Sequence, residues 1–205
     1  MLELSLPEAL VVLGIEAHKG TTRDRLTLSY AIGGGQLAEL ELAGRISVDD
    51  EQVVVINDAA TGDEHLDELL AKIAGADRPH TPGHWVMKRR SAGLAVYARR
   101  LVATGMVRGE SRRLLGFIPR TVFPIVHAGT RERALAEIQS ALADPAARSQ
   151  RDAALIALLH ASAIARRLIG DDEQRERAAD IAEQDVIARA VKRAVDAVQA
   201  AAPSS

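Results

Sequence analysis

The sequence has no cysteine, few aromatic residues and no long apolar run. Without cysteine, disulfides and thiolate metal sites are excluded. Aromatic residues make up 2% of the 205 residues and hydrophobic residues 47%, so we expect an aliphatic core. No apolar run reaches the roughly 20 residues of a membrane-spanning helix. The N-terminus also lacks the basic start and apolar stretch of a signal peptide. We therefore expect one cytoplasmic globular domain over residues 1–205.

The net charge of −2 conceals two segments of opposite charge. Acids dominate from Gly35 to Asp77, where only Arg45 and Lys72 are basic. From Lys88 to Arg120, Glu110 is the only acid among nine basic residues: Lys88, Arg89, Arg90, Arg99, Arg100, Arg108, Arg112, Arg113 and Arg120. This asymmetry favours a surface for an anionic partner. The alternative is that Arg99, Arg100, Arg112 and Arg113 pair with the acidic half of the protein.

Two segments share one predicted order of elements: helix, glycine, strand, turn, strand, helix. The acidic helix-hairpin unit covers residues 24–74, with strands at 45–48 and 52–56. The basic helix-hairpin unit covers residues 85–143, with strands at 106–107 and 114–118 and a turn at 109–111. Pro119 is expected to end the second strand, because proline cannot donate to a ladder. The pattern predicts a mainly α, globular helical domain with two small β-hairpins.

The other helices are predicted from caps and apolar periodicity. Ser5 and Glu8 form a capping box for the first helix, and Thr61 is the expected N-cap of a later one. Gly33–Gly35 lies in a helix over 23–43 and indicates either a close helix contact or a break. The C-terminal helices, over 149–202, comprise a buried helix to residue 168 and one long helix from residue 172.

The apolar residues of the basic hairpin are candidates for contact with a membrane or a second subunit. They are Leu114, Leu115, Phe117 and Ile118. A surface hairpin buries only one face against its own domain, and large apolar patches are rarely left bare. Trp85, the only tryptophan, is either part of the core or an interfacial anchor beside Lys88–Arg90.

No arrangement of residues predicts catalysis. The six histidines are scattered, and we interpret His160 as a buried, hydrogen-bonded core residue. The acidic clusters are typical of a solvated face. Gly33–Gly35 lacks the Lys-Ser/Thr of a phosphate-binding loop. We therefore expect no catalytic residue, no metal and no cofactor.

Four segments, in this order, resemble the Golgi phosphoprotein 3 (GPP34 domain) family. They are LSLPEALVVLG (4–14), GGQLAELELAGRI (34–46), TGDEHLDELL (61–70) and RDAALIALLHAS (151–162). The resemblance implies a mainly helical fold and no enzymatic activity. It also implies peripheral membrane binding to phosphatidylinositol 4-phosphate and self-association through a hydrophobic hairpin. The Arg- and Ala-rich composition favours a bacterial member.

The family's headgroup-binding Trp and Arg positions are occupied here by Asp24, Gly33, Ser91 and Leu94. The resemblance therefore implies that neighbouring basic residues contact anionic headgroups. The expected headgroup-binding residues are Lys88, Arg89, Arg90, Arg99, Arg100, Arg112 and Arg113. The expected partner is an anionic phospholipid surface. The alternative is a winged-helix-like module for nucleic acid or protein, although a near-neutral charge argues against nucleic acid.

Overall fold

The computed structural model describes residues 4–16, 19, 21–22, 24–89, 93–114, 118–122 and 128–201, with side chains excepted at 89, 111–114, 118–122 and 128. These residues confirm the mainly α fold with two antiparallel β-hairpins. The elements are α1 (Leu6–Gly14), α2 (Arg25–Leu42), β1 (Ile46–Asp49), β2 (Gln52–Val55), α3 (Glu64–Ala74), α4 (Pro82–Arg89), α5 (Gly93–Ala103), β3 (Glu110–Leu114), β4 (Ile118–Val122), α6 (Ala128–Ala143), α7 (Gln150–Ala161), α8 (Ala165–Leu168), α9 (Asp172–Gln184) and α10 (Val186–Ala201).

Helix α1 begins at the predicted capping box and is buried along its whole length. The Ser5 side chain accepts from the Glu8 backbone N–H, and the Glu8 carboxylate accepts from the Ser5 N–H at 2.9 Å. Such reciprocal bonds satisfy backbone donors that a helix start leaves open. The helix ends at Gly14.

Helix α2 runs without a break through the glycine triplet, so the close-contact interpretation is confirmed. A Cβ atom on Gly34 would lie 2.6 Å from Val191 Cγ2 and 2.7 Å from Leu158 Cδ2. Gly35 faces α1 in the same way, since its Cβ would lie 3.0 Å from Leu10 Cδ1. The two glycines let α2 pack tightly against α1, α7 and α10.

Both helix-hairpin units have the predicted order of elements. A glycine with positive φ follows the first helix of each unit: Gly44 (φ +64°) after α2 and Gly105 (φ +75°) after α5. This left-handed conformation ends the helix and turns the chain into the hairpin. In the first hairpin Asp49 pairs with Gln52, and the two turn residues, Asp50 and Glu51, also have positive φ.

The second hairpin lies later in the chain than predicted. Its strands pair Glu110 with Val122 and Leu114 with Ile118, so residues 110–111 belong to β3 and not to a turn. Pro119 lies within β4, opposite Arg113, and the expectation that it ends the strand is wrong. In a two-stranded sheet each strand is an edge strand, where proline is tolerated.

The segment before the second unit contains a helix that the sequence analysis missed. Before it, the N-cap of α3 is Asp63, whose carboxylate accepts from the His65 N–H. The prediction of Thr61 as this N-cap is wrong, because the Thr61 hydroxyl instead donates to Asp67. Helix α4 begins at Pro82, between the two predicted helix-hairpin units, and contains Trp85. It packs against α2 and α10. Proline suits the first turn of a helix because its missing N–H would be unpaired there.

The C-terminal region is divided more often than predicted. Helix α7 is buried along most of its length, as expected, but the chain turns at Ala163 (φ +57°) before α8. The predicted long helix is two helices, α9 and α10, separated at Asp185. Asp185 adopts an extended backbone, and its carboxylate accepts from the Ala188 N–H at 2.7 Å. Asp185 therefore ends α9 with its extended backbone and caps the start of α10 with its side chain.

Candidate functional site

Arg100 of α5 is half-buried and forms ion pairs with acids of the same chain. Its Nη1 donates to Asp63 Oδ2 at 2.5 Å, and its Nε lies 3.4 Å from Glu8 Oε1. The guanidinium also lies over the Tyr97 ring, 5.4 Å from the ring centroid. These contacts tie α5 to the starts of α3 and α1. For Arg100 the structure therefore matches the alternative in which an arginine pairs with the acidic half.

The pairing shifts the pKa of both partners. Burial alone would lower the pKa of Arg100, but the hydrogen bond to Asp63 and the nearby Glu8 charge raise it above its usual value. Burial alone would raise the pKa of Asp63, but Arg100 and the backbone N–H groups of His65 and Leu66 lower it. Both groups stay charged, so the positive charge of Arg100 is largely compensated.

Within the segment from Lys88 to Arg120, the exposed basic side chains among those that the structure describes are Lys88, Arg99 and Arg108. Lys88 Nζ lies over the Trp85 ring, 5.3 Å from its centroid, a cation–π contact that leaves the ammonium at the surface. Arg89 ends α4, and Arg90 lies outside the described residues. Lys88 and Arg99 are thus open to an anionic partner, in contrast to Arg100.

Trp85 is a core residue with 2% of its surface exposed. The structure therefore contradicts the interfacial-anchor alternative. The physical reason is the extra helix α4, which places the ring among core residues between α2 and α10. The exposed apolar side chain of this helix is Met87, at 53%.

The register of the second hairpin orders its apolar and basic positions. Leu114 and Ile118 form the last pair before the connection, and Arg112 opposes Arg120 two positions further from it. Arg113 opposes Pro119 between these pairs. Leu115 and Phe117 belong to the connecting residues 115–117, which lie outside the described residues. The prediction of a single strand over 114–118 is wrong, because Leu114 and Ile118 lie on different strands.

A family comparison covers nearly all of these elements. The model of the family Golgi phosphoprotein 3 (GPP34) matches residues 6–198, from α1 into α10. The chain belongs to the Golgi phosphoprotein 3 family. The resemblance stated from four short segments is thereby confirmed.

In this Golgi phosphoprotein 3 family member, three of the four positions that the resemblance assigns to headgroup binding can be inspected. Asp24 is the N-cap of α2 and accepts from the Thr27 N–H at 2.9 Å. Gly33 lies in the buried part of α2, and Leu94 is buried in α5. Ser91 lies outside the described residues. The inspected positions thus serve capping and packing in this chain.

Two further observations concern function classes. Among the described helices of this family member, none is long and apolar enough to span a bilayer.

His160 is only partly buried, and its pKa is lowered, first by burial and then by Arg166 and Lys192. The prediction of a buried core His160 is therefore corrected: its side chain is half-buried, whereas its neighbours Leu159 and Ala161 are buried.

The sequence analysis missed a group of polar residues around the start of α4. The His80 and His84 rings stack at a centroid distance of 4.0 Å, next to Trp85 and Lys88. His80, Trp85 and Lys88, together with Lys72 of α3 and Asp77, line a cavity of about 470 Å³. The available signal was the spacing of His80, His84 and Lys88 by four residues, which places them on one side of a helical turn. It was overlooked because no helix was predicted there.

Proposed function

We propose that the protein binds peripherally to membranes containing anionic phospholipids of the phosphatidylinositol 4-phosphate type, through the exposed part of its basic helix-hairpin unit. The proposed contacts are Lys88, Arg89, Arg90, Arg99, Arg112 and Arg113, with Leu114, Leu115, Phe117 and Ile118 entering the interface. Arg100 instead holds α5 in place through Asp63 and Glu8. The proposed role is binding, without a catalysed reaction.

The observation that carries this proposal is the order of residue pairs in the second hairpin. The apolar pair Leu114–Ile118 lies next to the connection, and the basic pair Arg112–Arg120 lies further back. A surface element with this order would place apolar residues at the acyl boundary and arginines at the headgroup layer. Arginine side chains reach towards headgroups while their stems stay in apolar surroundings.

Long-range electrostatics also favours a membrane contact through the basic helix-hairpin unit. The segment from Gly35 to Asp77 contains eleven acids against Arg45 and Lys72, whereas Arg99 and Lys88 are exposed in the basic segment. Each Lys or Arg near an anionic surface contributes about 1 kcal/mol, so several together produce substantial binding. The acidic half is repelled by the same surface, which favours a single orientation on the membrane.

Vesicle co-sedimentation tests the proposal. Vesicles of phosphatidylcholine with phosphatidylinositol 4-phosphate or phosphatidylserine are expected to pellet the protein, whereas pure phosphatidylcholine vesicles leave it in the supernatant. Binding is expected to weaken as salt is raised, since exposed charges are screened. Equal binding to neutral vesicles, or binding that resists salt, would contradict the proposal. Retention on duplex DNA without binding to vesicles would favour the nucleic-acid alternative.

A further inference from the structure

Two histidine rings stack where the chain enters α4. The His80 and His84 rings are nearly parallel, with an interplanar angle of 6° and 4.0 Å between their centroids. Both stand edge-on to Trp85, at centroid distances of 5.9 and 5.1 Å. His80 precedes the helix and His84 lies in its first turn, so the stack joins the connection from α3 to the helix. The proposed membrane contact uses neither ring.

Backbone hydrogen bonds place this stack where three elements meet. The His80 carbonyl accepts from the Val53 N–H of β2 at 2.9 Å, and the His84 N–H donates to the Thr81 carbonyl at 3.1 Å. The first bond holds the connection against the β1–β2 hairpin, and the second closes the turn from which α4 begins. A change in the stack therefore affects how α4 is joined to the acidic helix-hairpin unit.

The surroundings of His84 suit a neutral ring. Its Nε2 atom is buried and has no hydrogen-bond partner among the described residues. In a neutral imidazole this nitrogen can be the one without a hydrogen, whereas in an imidazolium both nitrogens are donors. A buried charged donor without an acceptor costs more free energy than a buried neutral acceptor. Burial accordingly lowers the pKa of His84, and repulsion from His80, Lys88 and Arg78 lowers it further.

The charged groups around the stack come from three elements. The connection contributes Arg78 and Asp77, α3 contributes Lys72, and α4 contributes Lys88. Lys72 is paired with Glu68 on its own helix. Among the described residues, α2 and α10, which also pack against α4, add no charged group to this set. Two imidazolium rings 4.0 Å apart would thus add two positive charges where three cations already face two acids.

We propose that the His80–His84 stack is a pH-sensitive contact, which holds α4 to the connection while both rings are neutral and opens when they are protonated. Histidine is the side chain whose charge ordinarily changes between about pH 5 and pH 8. Opening separates the two cations and lets His84 Nε2 donate to water. The change is local, because α4 also packs against α2 and α10.

The direction of the pH effect follows from the lowered pKa of His84. As the pH falls, the open form, with a pKa of about 6.5, takes up a proton before the closed form does. The stack therefore contributes its full stability above about pH 6.5 and loses it as the pH falls towards the lower pKa of the closed form. Acid is expected to open the stack, and neutral pH to keep it closed.

Trp85 is a natural probe of this contact, since it is the only tryptophan and is 2% exposed. The whole protein is titrated without vesicles from about pH 8 to about pH 5, the range in which imidazoles titrate. Its emission maximum is expected to move to the red, and hydrogen exchange of the Val53 amide to accelerate. Helical content, measured by circular dichroism, is expected to stay constant. These quantities distinguish opening from simple quenching by a protonated neighbour.

His84→Gln removes the titrating group and is expected to abolish the pH-dependent shift, and His80→Gln is expected to reduce it. His160→Gln is the matched control, because His160 is another partly buried histidine with a lowered pKa, on α7. It should behave like the original protein. Thermal unfolding at neutral pH shows which variants are folded, and His80→Gln decides the outcome if His84→Gln is unfolded.

Three results would overturn the inference. They are a Trp85 emission maximum and a Val53 exchange rate that do not change down to about pH 5, an equal change in His84→Gln and the original protein, and a simultaneous loss of helical content. The last result would mean that acid unfolds the whole domain instead of opening one contact.

The pH-sensitive contact has a consequence for membrane binding, and this consequence rests on the proposed function. Protonated His80 and His84 add positive charge beside Lys88, so phosphatidylserine vesicles are expected to bind more tightly at about pH 5.5 than at about pH 7.5, by about fivefold for each added charge near the surface. His84→Gln should show a smaller gain than His160→Gln. A Trp85 transition in solution without vesicle binding would support the contact and contradict the proposed membrane function. Vesicle binding without that transition would leave the membrane function standing and overturn the contact.

Discussion

Gly34 lies where α2 meets both α7 and α10, and its missing side chain determines how closely these helices approach. A methyl group there would overlap Val191 and Leu158, at 2.6 and 2.7 Å. Valine has little rotamer freedom in a helix, so it cannot easily move away. A single residue thus controls the packing of three helices.

Gly34→Ala is therefore expected to destabilise the protein by about 1–3 kcal/mol, because overpacking exceeds the gain in helix propensity. Gly83→Ala in α4 is the matched control: its added Cβ would meet only ordinary contacts at 3.9 and 4.0 Å. It is expected to be neutral or stabilising by up to about 1 kcal/mol. Urea unfolding of both variants measures the difference. Equal stability of the two variants would contradict the packing account.

Asp63 links stability to pH through Arg100. Its pKa is lowered in the folded protein, so an unfolded Asp63, with a pKa of about 3.9, takes up a proton first as the pH falls. The ion pair therefore stabilises the fold above that pKa and loses its contribution as the pH falls through the lower folded value.

Asp63→Asn keeps an N-cap acceptor and removes the charge. We expect this substitution to lower the free energy of unfolding by about 1–2 kcal/mol at pH 7. Between about pH 4 and pH 2 the free energy of unfolding of the variant should then fall less steeply than that of the original protein. Asp58→Asn, at an exposed loop position, is the control. Unfolding curves across this pH range provide the measurement. An Asp63→Asn protein with unchanged acid sensitivity would show that other carboxylates dominate.

At the scale of elements, local signals predicted the start of α1 and the first hairpin better than the second hairpin. The capping box at Ser5 and the glycines at 44 and 105 act within a few residues, so their effects can be inferred from the sequence. The second hairpin could not be placed, because its apolar run suggested one strand, whereas the register divides Leu114 and Ile118 between two. An isolated hairpin also tolerates Pro119, which a central strand would exclude.

The same contrast applies to the candidate site. The concentration of positive charge was evident from the sequence, but the partner of Arg100 was not, since Asp63 is 37 residues away along the chain. Tertiary contacts bury Trp85 and compensate the charge of Arg100, and they leave Lys88 and Arg99 exposed. The cavity beside α4 likewise depends on the packing of α3 against the connection.

Phe117→Asp tests the hairpin as an element. A charge at the connecting end is expected to lower vesicle binding, or the size of any oligomer, because entry into an apolar environment becomes costly. Helical content is expected to stay nearly unchanged. Circular dichroism, light scattering and vesicle pelleting on one preparation check all three quantities. Unfolding of the variant would mean that the hairpin is core, and the proposed contact would be wrong.

At the scale of the whole molecule, the difference in charge between the two hairpins determines which one should face an anionic membrane. The acidic β1–β2 hairpin and the basic β3–β4 hairpin follow the same order of elements, yet only the second combines arginines with an apolar connecting end. A membrane-bound protein should therefore bury the second hairpin and keep the first in water. This orientation is the central claim, and it can be measured because the chain has no native cysteine.

The most direct measurement introduces one cysteine, Phe117→Cys, and labels it with an environment-sensitive fluorophore. Asp58→Cys, which follows the acidic hairpin, carries the same label in the control protein. Anionic vesicles are expected to shift the label at 117 to the blue and protect it from aqueous quenchers, while the label at 58 stays in water. Neutral vesicles are expected to leave both unchanged. Membrane binding with both labels equally exposed, or with only the label at 58 protected, would contradict the account.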